Sequence, residues 1–286
     1  MSDSFIACTA PYDAARIVLF GAHYDSTTSF RPGARFAGSA LRAESFGIET
    51  YSPYQDADLE DCRVHDAGDL ELPFGDPTTP LDMIARQTRQ ILADGKMPVL
   101  IGGEHLVTLG AVRAVAEKYP GLHIIHLDAH ADLREDYLGV KFSHACVMRR
   151  CHDLLGDGRI FQFGIRSGTK EEFQFMRDGH VTTSPFRIDD LAALTLARGT
   201  PVYLTIDLDV LDPGEFPGTG TPEAGGVSYG ALANAVRDVF SRFNVVAFDN
   251  AELAPMLDAS GRSTALACKL LREELVAARN MLSKGD

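Results

Sequence analysis

Short apolar runs recur along this chain, separated by amphipathic stretches. Strand candidates are ARIVLFGA (15–22), PVLIGG (98–103), LHIIHLDAH (122–130), IFQFGIR (160–166), PVYLTIDLDV (201–210) and NVVAFDNAEL (244–253). They are nearly continuous Val, Ile, Leu and Phe rather than in–out alternations, which is how strands buried on both faces of a parallel sheet read. Between them the spacing turns helical. Over 79–94, Leu81, Ile84, Ala85, Ile91 and Leu92 fall on one stripe, behind Thr caps and ahead of Gly95. Over 228–243, Leu232, Val236, Val239, Phe240 and Phe243 do the same behind Ser228, an N-cap residue. A final helix is predicted from Ser263 to Leu282. Residues 25–75, rich in Pro, Gly and Asp, show no clear period and are expected to be irregular or partly extended. No repeat, linker or composition break divides the 286 residues. The expectation is one domain over 1–286, an α/β fold with a mostly parallel sheet covered by helices on both faces.

The bulk numbers narrow the partners. A composition of 45% hydrophobic and 23% charged residues is ordinary for a globular protein. A formal net charge of −13 argues against a nucleic-acid backbone as partner and suits a small cation. Five cysteines with no CxxC spacing read as reduced thiols rather than as a disulfide frame or a zinc finger. No stretch resembles a signal peptide or a membrane span, so the expected setting is cytoplasmic, with no membrane partner.

Chemistry gathers where the apolar runs stop. Ligands of open parallel sheets bind beyond the carboxyl ends of the strands. PVLIGG is followed by Glu104 and His105, LHIIHL by Asp128, His130 and Asp132, and PVYLTI by Asp207 and Asp209. Spacing by two is expected to put Asp128, His130 and Asp132 on one face of a strand. A lone D-x-H or D-x-D at a strand end is more often a loop cap or a salt bridge than a ligand. Three such groups on separate strands point to a metal centre. Four carboxylates would balance two divalent cations, and oxygen-rich ligation with two His and no Cys favours Mn²⁺ over Zn²⁺. His123 and His126 read as packed core histidines or as hydrogen-bond donors behind the ligands, and Glu104 as structural.

Together the motifs resemble a family. GGEH (102–105), DAHAD (128–132), SHACVMRR (143–150) and DLDVLDPGEFPGTGTPEAGG (207–226) are similar to those of the ureohydrolases, the arginase and agmatinase family. RPGAR (31–35), FGIRSGTKEEF (163–173) and DNAELAP (249–255) extend the likeness over nearly the whole chain. DLREDYLGVKFSHA and FGIRSGTKEEF look most like bacterial agmatinases. The resemblance implies a three-layer α/β/α arginase-like fold and two Mn²⁺ ions per subunit. His105, Asp128, Asp132 and Asp207 would hold one ion, and His130, Asp128, Asp207 and Asp209 the other. A metal-bridging hydroxide would attack the guanidinium carbon, with Asp132 passing a proton to the departing amine. His144 matches a proton-shuttling or substrate-orienting histidine, Glu252 a carboxylate that grips the guanidinium, and Thr221 a substrate-bonding residue. On its own each would read as an ordinary loop or surface residue. A homo-oligomer, trimer or hexamer, is also implied.

Two departures stand out: Asn250–Ala251 where apolar residues such as Val are usual, and Cys146 where Thr or Ser is usual. Agmatine is the substrate the resemblance favours, and Glu135 and Asp136 are candidates to greet its ammonium end. Arg134 could instead pair with a carboxylate, which keeps guanidinobutyrate, formiminoglutamate and arginine open. Two other readings are a single-zinc deacetylase-type hydrolase, disfavoured by Asp132 together with the Asp207/Asp209 pair, and a silent metal-binding homologue, disfavoured by an intact ligand set.

Overall fold

The computed structural model describes residues 4–284. In chain order the strands are β1 (Ile17–Ala22), β2 (Tyr51–Ser52), β3 (Ala57–Asp58), β4 (Val64–Leu70), β5 (Met97–Ile101), β6 (His123–Leu127), β7 (Ile160–Phe163), β8 (Thr182–Ser184), β9 (Pro201–Asp207) and β10 (Asn244–Ala251). The α-helices are α1 (Ala37–Glu44), α2 (Thr78–Ala93), α3 (Val107–Lys118), α4 (Val147–Leu155), α5 (Lys170–Arg177), α6 (Tyr229–Arg242) and α7 (Arg262–Ser283). Eight strands form one sheet in the order β4-β1-β5-β10-β9-β6-β7-β8. Every neighbouring pair in it runs parallel, as the continuous apolar runs predict.

The pleat divides each central strand between two cores. In β1, Ile17 and Leu19 join one core while Val18, Phe20 and Ala22 join the other. In β9, Val202, Leu204 and Ile206 face the first core and Tyr203 the second. Helices α1, α6 and α7 cover the first face; α2, α3 and α4 cover the second. This is a three-layer α/β/α arrangement. The predicted stripe of α2 does pack inward: Leu81, Ile84, Ile91 and Leu92 are buried, each contributing about 1.5–3 kcal/mol by leaving water. Gly110 in α3 allows the close approach, since a Cβ there would lie 2.8 Å from Ile84 Cβ.

The element boundaries differ from the sequence reading in instructive ways. Ser228 caps α6 as expected, accepting from Ala231 N. At α2 the Thr residues are already helical, and Asp76 Oδ1 accepts from Thr78 N instead. Residues 25–75 are not merely irregular: they hold α1, a β2–β3 hairpin and β4, an edge strand of the main sheet. VHDAGDL lacks an apolar run because an edge strand is half open to solvent, as its intermediate burial shows. Helices α3, α4 and α5 were also not predicted.

Most consequential is the end of β6. The strand stops at Leu127, so Asp128, His130 and Asp132 lie in a loop and not on a strand face. Asp128 N still donates to Phe163 O at 3.2 Å, after which Ala129 O accepts from Arg166 N and Ser167 N. Asp132 then takes a left-handed backbone, φ +53°. Likewise β9 ends at Asp207, and Asp209 sits in a 3₁₀ turn whose first amide bond goes from Asp209 N to Asp207 Oδ1.

Candidate active site

Four adjacent strands deliver the chemistry to one edge. In spatial order β5 leads to His105, β10 to Glu252, β9 to Asp207 and Asp209, and β6 to Asp128. Gly103 makes the turn after β5, because a Cβ there would lie 1.9 Å from Tyr24 O. Its carbonyl accepts from Glu252 N at 2.9 Å, and Glu104 N donates to Tyr24 O at 2.8 Å. The left-handed φ of +65° at Glu252 turns that side chain back over the strand ends.

His105 shows what the cluster requires. Its Nε2 lies 2.9 Å from Thr205 Oγ1, and that hydroxyl donates its own proton to Asp249 Oδ1 at 2.6 Å. Thr205 therefore accepts from His105 Nε2–H, which leaves Nδ1 of the neutral ring without a proton. Nδ1 is buried, has no hydrogen-bond partner, and faces Asp128 Oδ2 at 3.1 Å, Asp132 Oδ2 at 3.2 Å and Asp207 Oδ2 at 3.4 Å. A lone pair aimed into three carboxylate oxygens is repulsive unless a cation lies among them. With protons alone to answer that demand, burial opposes the charged ring but the three carboxylates outweigh it, holding His105 well above the usual imidazole range. Burial, with Asp209 and Asp128 alongside, likewise pushes the Asp207 carboxyl up. The donor set, two imidazoles and four carboxylates, fits divalent metal ions.

A second group adjoins the first. His130 Nδ1 lies 2.9 Å from Asp209 Oδ2 and 3.6 Å from Asp128 Oδ1. Asp128 thus reaches both groups, one oxygen to each. Asp207 offers Oδ2 to the first group, while its Oδ1 accepts from Asp209 N. Behind these residues, His126 Nδ1 accepts from Gln162 Nε2 at 3.0 Å, so its Nε2–H donates to Asp128 Oδ2 at 2.7 Å. Both nitrogens are used, which makes His126 an orienting donor. His123 is elsewhere: at the start of β6, half-buried, stacked on Phe161. Arg166 holds the third loop in place, donating to Asp209 O at 2.7 Å and Glu223 O at 2.9 Å.

A cavity of about 370 Å³ opens beside the cluster, lined among others by His130, Asp132, Arg134, His144, Asp207 and Thr221. Ser29 N–H donates to His144 Nε2 at 3.0 Å, which puts the neutral ring's proton on Nδ1, facing Glu252 Oε1 at 3.3 Å. Burial disfavours a second proton there, but Glu252 and Glu104 outweigh it and draw the ring up to about 9. Glu252 Oε1 also accepts from His105 N at 2.8 Å, so Glu252 lies behind His144 rather than in the cavity wall. Thr221 Oγ1 is 3.4 Å from Asp209 Oδ2. Glu104 points away, its oxygens taken by Thr27 and Thr28.

The acidic pair proposed for the substrate tail is placed otherwise. Glu135 is engaged by Lys141, Arg149 and Arg150, and Asp136 accepts from Gly139 N; neither lines the cavity. Arg134 does, with its charge set 3.6 Å from Glu172 Oε2 and its guanidinium over Tyr137. Residues that the sequence did not single out, Ser29, Thr205, Gln162 and Glu172, complete the site. Only the capping box at Thr169–Glu172 had a local signal.

Comparison with known proteins identifies the family. The Arginase family model matches residues 15–277. The chain is 44% identical over 275 residues to the agmatinase of Bacillus subtilis, covering 95% of each. It is 38% identical over 266 residues to an N(1)-aminopropylagmatine ureohydrolase of Thermococcus kodakarensis, covering 91% of this chain and 89% of that one. The solved agmatine ureohydrolase of Thermoplasma volcanium superposes with a TM-score of 0.90 at 32% identity, covering 100% of this chain and 97% of that one. The chain belongs to the arginase family and is a ureohydrolase acting on guanidino compounds.

Proposed function

We propose that this chain hydrolyses agmatine to putrescine and urea, with two Mn²⁺ ions as its cofactor. The carrying observation is His105 Nδ1, buried and unpartnered among three carboxylate oxygens. His105, Asp128, Asp132 and Asp207 would hold one ion; His130, Asp128, Asp207 and Asp209 the other. When bound, such ions supply Lewis acidity, which makes water nucleophilic near neutral pH.

The chain's own residues do the rest. His126 and Gln162 fix the plane of Asp128. A guanidinium that displaces the His144 ring meets the Glu252 carboxylate behind it, whose Oε1 is held by His105 N and whose second oxygen is left for the N–H donors. Asp132, on the cavity wall, carries the proton from the attacking water to the departing amine. At the expense of its Ser29 contact, His144 relays to solvent the other proton, the one a water loses in becoming the nucleophile. Thr221 holds Asp209 in place. At the far end Glu172 pairs with Arg134 and lessens its pull, which disfavours a substrate that carries a carboxylate there. We further propose that the enzyme is a cytoplasmic homo-oligomer.

The test is urea release by Mn²⁺-loaded protein on agmatine, arginine and 4-guanidinobutyrate, with formamide release from formiminoglutamate alongside. Preference for agmatine supports the reading. Preference for a carboxylated substrate overturns the substrate and moves attention to Arg134.

A further inference from the structure

Away from the active site, the turn after α4 brings two histidines onto one carboxylate. His152 Nε2 lies 2.7 Å from Asp157 Oδ1, and His180 Nδ1 lies 2.8 Å from the same oxygen. One ligand atom from each of the three residues can be chosen so that all lie within 4.8 Å of one another. We propose that His152, Asp157 and His180 form a peripheral site for a divalent transition ion of the zinc, nickel or cobalt class.

The site is built before any ion arrives. Phe175 stacks on the His180 ring at 4.3 Å and meets the His152 ring edge-on at 4.9 Å, while the Arg149 guanidinium lies over the Phe175 ring at 4.4 Å. Gly158 N donates to His180 O at 3.1 Å and ties the two segments together. The ligands converge, and an ion takes the place of the two N–H protons now shared with Asp157, each of which moves to the ring's other nitrogen or to solvent. The site is open, with side-chain exposure of 15% for His152, 38% for His180 and 65% for Asp157. An ion held there keeps room for water in its remaining positions. Two imidazole nitrogens and one carboxylate oxygen select borderline transition ions over Mg²⁺ or Ca²⁺, which take oxygen ligands. The surroundings attract cations too. His152 lies in the last turn of α4 and His180 just beyond α5, so the partial negative charge of two helix C-termini lies near the cluster, in a chain of net charge −13. His152 Nδ1 is buried without a partner, so the ion is held by convergence of the ligands alone and exchanges readily.

The location gives the ion a mechanical effect. The opposite ends of the same helices reach the active-site cavity: α4 follows directly on the turn carrying His144, and Glu172 lies in the first turn of α5. His152 is about 12 Å along α4 from His144 by the helical rise. An ion at the far ends fastens two struts of the cavity wall without touching substrate.

The experiment measures zinc bound per chain by equilibrium dialysis in the presence of saturating Mn²⁺, for wild type, Asp157→Asn and His180→Ala. Any zinc that displaces ions from the active site is common to all three proteins, so their difference reports the peripheral site. The proposal predicts one zinc per chain fewer in both variants. It also predicts a zinc-dependent rise in unfolding temperature in wild type alone, and unchanged turnover of the Mn²⁺-loaded variants without zinc. Equal zinc content in wild type and both variants overturns it.

Discussion

His126 Nε2 donates to Asp128 Oδ2 at 2.7 Å, and the tautomer that allows this is set by Gln162 Nε2 donating to His126 Nδ1 at 3.0 Å. A carboxylate that reaches both ligand groups is therefore oriented by a buried relay. Removing such a partner behind a ligand typically lowers metal affinity or activity 10–100-fold. Gln162→Leu, which keeps the volume and deletes the donor, is expected to weaken Mn²⁺ binding by about tenfold or more. Unchanged affinity in a metal titration would show that Asp128 does not depend on the relay.

Asn250, a departure from the family pattern, has a partner of its own. Its Nδ2 donates to Glu274 Oε2 at 2.6 Å, and the two remaining oxygens, Asn250 Oδ1 and Glu274 Oε1, are both buried without partners. Burial above all, with Asp249 nearby, pushes Glu274 from 4.5 up to about 8. A protonated Glu274 spares the site a buried, uncompensated charge. The acid is neutral when folded and ionises near 4.5 when unfolded, so the unfolded chain binds fewer protons between those values. Stability should therefore fall as pH rises from about 4.5 to about 8, and stay low above that. Glu274→Gln has no proton to lose and should remove this fall, worth a few kcal/mol in order of magnitude. Denaturant unfolding of both proteins at pH 5 and pH 9 checks it; parallel pH dependence in the two would sink the assignment.

Arg134 and Glu172 set the charge at the cavity mouth. Glu172→Gln keeps an oxygen for Leu133 N, which Glu172 Oε1 now accepts at 2.8 Å, but leaves Arg134 uncompensated. Partly exposed pairs are worth about 0–1 kcal/mol, so KM for agmatine should rise roughly two- to fivefold while KM for 4-guanidinobutyrate falls. Steady-state kinetics on the two substrates decide this. Equal changes on both would mean that Arg134 does not read the far end.

Asp128→Ala and Asp209→Ala are each expected to abolish urea release, since each removes an oxygen from His130 and Asp128 is also shared with His105. Normal turnover in either variant would refute the ligand assignment.

How much of this was legible beforehand depended on whether the signal was local. The apolar runs of β1, β5, β6, β9 and β10 identified the sheet's centre because strands buried on both faces need such residues throughout. The edge strand β4 had no such need and could not be seen. Asp128, His130 and Asp132 were found for a partly mistaken reason: they converge because a loop with a left-handed Asp132 folds back on itself, not because of strand pleating. Thr205 and Gln162 belong to apolar strands, and only tertiary structure shows that they set the tautomers of His105 and His126. Glu135 and Asp136 looked available in sequence, but arginines from the following helix claim Glu135.

The most direct test of the account is the number of Mn²⁺ ions bound per chain after loading and removal of excess metal. Two per chain in wild type, falling to one or fewer in Asp209→Ala, is the predicted result. A wild-type chain that binds no ion would contradict it, because His105 Nδ1 and its three carboxylates would then have to be satisfied by protons alone.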